Sequence, residues 1–70
     1  MNIFQRLVDH FGGQVKTAEA LGVGQGAVSN WVRGKHGMSP LVALRAEQVT
    51  GGEFTAAHLC PHVFGAHSAA

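Results

Sequence analysis

Glycine decides what this chain can build. Ten glycines divide the seventy residues into short pieces, and within each piece apolar residues recur at three- and four-residue spacing, the period of one helix face. In NIFQRLVDHF, Ile3, Phe4, Leu7, Val8 and Phe11 form such a face, with Asn2 as a cap at its start and Gly12-Gly13 as its end. QVKTAEAL follows, with Val15, Ala18 and Leu21 on one side, Lys16 and Glu19 outward, and Gly22 as the stop. QGAVSNWV places Ala27, Val28, Trp31 and Val32 on its apolar side and leaves Gln25, Gly26, Ser29 and Asn30 on the other. RGKHG breaks the pattern. Ser39 and Pro40 then open PLVALRAEQVT as cap and first-turn proline, and Gly51-Gly52 ends it. Thr55 caps a single turn through Leu59, which Pro61 closes. No alternating strand pattern occurs. The expected fold is all-α: a compact bundle of four to five short helices, one domain over residues 1–64, with a flexible tail over 65–70.

One stretch admits two meanings. LGVGQGAVSNW contains Gly22-x-Gly24-x-x-Ala27, a loose dinucleotide fingerprint in which glycines cradle a pyrophosphate. That motif needs a strand before the glycines and a second strand to complete a βαβ unit. Here a helical piece precedes Gly22, and Glu47, twenty residues past Ala27, sits on another. No cofactor is expected. Two helices of about eight residues joined by a short glycine-containing turn make a helix-turn-helix instead. Ala18 is small where the two helices must approach, Gly22 takes the turn position that needs positive φ, and Val28 and Trp31 anchor the second helix.

With those residues in place, QVKTAEALGVGQGAVSNWVRG resembles the helix-turn-helix of phage Cro-type repressors. RAEQVTGGEFTAAHLCPHVF is similar to the related YdaS-like antitoxin and Cro group, whose members close with Gly-Gly, a Thr-capped turn and a Leu-x-Pro-x-x-Phe-like tail. Together the two stretches extend the resemblance over roughly residues 2–64. Cys60 and His62 stand where the group often has Arg and Asp, and Gly24 and Gly26 replace larger polar residues at the start of the recognition helix.

The resemblance implies a regulator that represses by occupying a double-stranded DNA operator, with residues 25–33 as the recognition helix. It carries base contacts onto Gln25, Gly26, Ser29 and Asn30. Gln25 or Asn30 suits a bidentate pair with adenine, and Gly26 suits close backbone approach or a thymine methyl. Phosphate contacts fall to the flanks: Gln14, Lys16 and Thr17 at the start of the preceding helix, then Arg33, Lys35 and His36. A net charge of only +1 gives no global basic field. Useful affinity therefore calls for a homodimer or higher homo-oligomer on spaced half-sites.

Composition closes other routes. Cys60 is the single cysteine, so no disulfide forms within the chain, and with no secretory pattern at the start the expected compartment is the cytoplasm. No apolar run reaches membrane-spanning length. HLCPH sets His58, Cys60 and His62 at i, i+2 and i+4, all soft-metal ligands. A structural zinc site takes four ligands, though, and Pro61 favours extended backbone after Cys60, so no metal is expected. Nothing organises a base and an oxyanion site around Cys60, so no enzyme is expected either. Three alternatives stay open: an antitoxin-like regulator of a toxin module, an interaction module without DNA binding, and a metal-sensing regulator through the HLCPH residues.

Overall fold

The structure is a computed structural model that describes residues 2–65. Every regular element among them is helical, and no strand stands before Gly22 to serve a dinucleotide loop. The chain falls into two compact units, Met1–Gly37 and Met38–Ala70.

The first unit holds α1 (Ile3–Phe11), α2 (Gln14–Leu21) and α3 (Gln25–Arg33), each packed on the other two. Asn2 caps α1 as expected, its Oδ1 accepting from the Gln5 amide at 2.8 Å. α2 ends at Gly22, which takes φ +70°, a left-handed conformation that costs an L-residue about 1–2 kcal/mol. The amides of Gly22 and Val23 both return to the Ala18 carbonyl, closing α2 and turning the chain toward α3. Leu7, Val8, Thr17, Ala18, Leu21, Val28 and Trp31 form the buried core of this unit. The Phe4 and Trp31 rings meet at 6.1 Å, tying α1 to α3.

α2 departs from expectation in its phase. Val15 is 54% exposed, and Thr17 takes the core position with no exposed surface. At 100° per residue, Thr17, Ala18 and Leu21 share an arc of about 100°, and Val15 lies about 110° from its centre. The Thr17 hydroxyl enters the core without a penalty because it donates to the Gly13 carbonyl at 2.7 Å.

The second unit holds α4 (Pro40–Val49), α5 (Ala56–Leu59) and a π-helical turn over Pro61–Gly65. Met38, Ala43, Ala46, Phe54, Ala56, Leu59 and Cys60 are buried. Ser39 caps α4 through the Val42 amide at 3.4 Å, and Thr55 caps α5 through the His58 amide at 3.2 Å. The loop between these helices is held by side chains. Thr50 Oγ1 donates to the Ala46 carbonyl at 2.7 Å and accepts from the Phe54 amide at 3.2 Å. Glu47 Oε1 accepts from the Ala56 amide at 2.7 Å. Glu47 thus joins α4 to α5.

α5 ends at Leu59, just before Pro61, as expected, but the backbone beyond Cys60 does not run extended. Cys60 leaves the helical region at φ −136° and ψ 64°, as a residue before proline does, and Pro61 then opens the π-helical turn. Proline fits there because the first residues of a helical turn have no use for an N–H donor. Of the expected tail, Gly65 ends this turn and 66–70 lie outside the described residues.

Candidate nucleic-acid interface

All ten residues expected to meet DNA belong to the first unit. α3 carries the densest group. Val28 and Trp31 are buried against α1 and α2, with Ala27 and Val32 half-buried beside them, which fixes the rotation of the helix. Gln25, Gly26 and Arg33 are consequently exposed, and Ser29 and Asn30 half-buried. At 100° per residue these five fall within an arc of about 140° on the opposite side. Arg33 follows Gln25 and Ser29 at i+8 and i+4, so the guanidinium extends the polar stripe itself. Sequence spacing alone contains this, although the residue was expected only among the flanks.

The far end of α3 is tied down twice. The Asn30 carbonyl accepts from the Lys35 amide at 2.9 Å and the His36 amide at 3.5 Å, and Gly34 caps the helix at φ +76°. That turn brings Lys35 and His36 out of the helix as exposed side chains. The second tie comes from Asn2, whose Nδ2 donates to the Val32 carbonyl at 3.0 Å. Sequence reasoning assigns Asn2 a cap and misses this bond, because the two residues are thirty apart and no local pattern links them.

At the start of α2, Gln14 is half-buried and Lys16 exposed. The Lys16 side chain lies along the turn that ends α1: a Cβ added to Gly12 would sit 3.5 Å from its Cδ and 3.8 Å from its Nζ. Gly13 supplies α2 with no side-chain cap, so the first-turn amides of the helix carry their partial positive charge beside this ammonium group.

Thr17 departs from the expected phosphate contact. Its hydroxyl is buried and bonded to Gly13, and its amide also bonds the Gly13 carbonyl at 3.0 Å, so neither group is presented to a phosphate.

Charge follows the same division. The first unit holds Arg6, Lys16, Arg33 and Lys35 against Asp9 and Glu19, a net +2, whereas the second holds Arg45 against Glu47 and Glu53, a net −1. The polar stripe therefore lies on the positive half of a nearly neutral chain.

The HLCPH residues do not assemble. Cys60 is buried, His58 and His62 are exposed, and the Cys60 Sγ lies 3.8 Å from His62 Nε2. Among the described residues no group of three or more His, Cys, Asp or Glu is placed to hold a metal ion. No helix among them is long and apolar enough to cross a membrane.

Comparison with known proteins bears on the same arrangement. The family described as bacterial toxin YdaS matches residues 4–68, which covers all three helices of the first unit and most of the second. The regulatory protein Cro of Pseudomonas phage D3 is 59% identical over 59 residues, 84% of this chain and 81% of that one. No solved structure matches significantly. The relative is a regulatory protein and not an enzyme, while the family's description reads toxin where the sequence resemblance was to an antitoxin group. The chain belongs to the YdaS family and to the Cro-type phage regulators.

Proposed function

We propose that this protein is a sequence-specific DNA-binding regulator that represses transcription by occupying an operator as a homodimer in the cytoplasm. One observation carries the reading. The buried face of α3 is locked by Val28 and Trp31, which leaves Gln25, Gly26, Ser29, Asn30 and Arg33 together on the face turned to solvent. α3 is a nine-residue helix, and an α-helix about 10–12 Å across with its side chains fits a major groove about 12 Å wide. Gln25 and Asn30 supply amides for adenine edges, and Ser29 donates or accepts as the base requires. Gln14, Lys16, Arg33, Lys35 and His36 hold the phosphates on either side and set the register. Repression then needs no chemistry: the bound protein excludes polymerase or a competing repressor.

Two subunits follow from the charge. Lys16, Arg33 and Lys35 give about three phosphate neutralisations per subunit, a salt slope near −3, which is small for an operator-binding protein. A second subunit on a half-site one turn away doubles it. α4 offers surface for the pairing, since Leu41 is 67% exposed, Leu44 44% and Val49 49%.

A second reading has support in the family's description as a toxin: this chain then acts in a toxin module. Expression in a naive host separates the two, because a toxin arrests growth where a repressor with no operator does not.

The test is selection from a random duplex pool, followed by affinity for the winner and for scrambled DNA across a salt series. Enrichment of paired half-sites, bound at least 1,000-fold more tightly than scrambled DNA at about 150 mM salt, is the expected result. Binding that enriches nothing and disappears with salt contradicts the proposal.

A further inference from the structure

The first turn of α3 is bare. Gly24, at its cap position, gives the helix no side-chain hydrogen bond, and its backbone at φ −78° and ψ 155° is one that any residue adopts. Gly26 lies within the helix, where glycine is less favourable than alanine. A Cβ added to either residue meets nothing within 4 Å. Gly22, two residues earlier, is different, because its positive φ explains it. No turn, close packing or left-handed backbone asks for glycine at 24 or 26. Serine or aspartate at 24 would cap α3, and alanine at 26 would strengthen it. The chain forgoes both gains at the one helix end that leads the polar stripe.

We infer that the demand comes from outside the chain: Gly24 and Gly26 keep the leading turn of α3 free of side chains on both sides of Gln25, so that a base-pair edge reaches the helix backbone and Gln25 reads it at close range. The inference rests on α3 being the recognition helix. A bidentate amide–adenine pair tolerates little displacement, so a methyl group that holds the helix off the groove floor weakens the pair before it affects phosphate contacts. Gly26 is then a specificity-determining position although it has no side chain.

The experiment uses the full chain, the duplex selected by the wild-type protein and a scrambled duplex, with Gly26→Ala as the variant. Thermal melting of the free proteins comes first. The expected Tm of Gly26→Ala is about 2–8 °C above wild type. Its affinity for the selected duplex is expected to fall about tenfold or more, with affinity for scrambled DNA unchanged. A variant that binds the selected duplex as tightly as wild type overturns the inference and leaves the proposed function standing. So does one that loses both duplexes equally, or one that melts below wild type, because glycine would then serve the fold. A wild-type protein that selects no duplex overturns the proposed function, and this inference with it.

Discussion

Asn2 uses both ends of one amide, and substitutions can separate them. Its Oδ1 caps α1 while its Nδ2 holds the Val32 carbonyl near the end of α3. Asn2→Ala should lower the unfolding free energy by about 1–2 kcal/mol in urea titrations, losing cap and tether together. Asn2→Ser keeps a cap acceptor but has no donor that reaches Val32, and should lose only about 0.5 kcal/mol. Equal losses in the two variants would place the whole effect in the tether. Thr17 makes the complementary case, a polar residue placed for the fold rather than for the surface. Thr17→Val removes the bond to Gly13 and should cost about 0.5–1.5 kcal/mol of stability, leaving DNA affinity and its salt slope unchanged. A change in slope would return Thr17 to the phosphate contacts.

At the scale of elements, the helices were legible because glycines, caps and spacing agree. Asn2, Ser39 and Thr55 each cap the helix that follows, and Val28 and Trp31 fall on the buried face of α3. Where faces were misread or left unread, the apolar pattern itself was the limit. Val15 outranks Thr17 in hydropathy, but a hydroxyl that bonds back within its own helix carries little burial cost, so polarity did not set the phase of α2. α4 is apolar around much of its circumference, with Ala43 and Ala46 buried while Leu41 and Leu44 are exposed, and such a helix has no single face to read. The five-residue stripe on α3 was legible except for Arg33, and the Asn2–Val32 bond was hidden by its separation in sequence. The turn between α2 and α3 gives the sharpest test at this scale. Gly22→Ala forces a Cβ into positive φ and should destabilise the protein by about 1–2 kcal/mol, read as a lower urea midpoint.

For the whole molecule, positive charge and the polar stripe coincide in the first unit while the exposed leucines lie in the second. The proposed repressor uses the one half for DNA and the other for its partner. Replacing Leu41 and Leu44 together with lysine should leave the fold intact, since both are exposed, and convert a dimer to monomer in sedimentation experiments. A variant that keeps the wild-type oligomeric state would exclude this face. Arg33→Ala should reduce the log–log salt slope by about 0.9 per subunit, or about 1.8 for a dimer. An amide chemical-shift titration of the labelled protein with its selected duplex reads out, residue by residue, whether α3 and its flanks form the DNA surface. Perturbations concentrated at Gln14, Lys16, residues 25–33, Lys35 and His36 are the predicted result. Shifts confined to Pro40–Leu59, with α3 unmoved, would contradict the account.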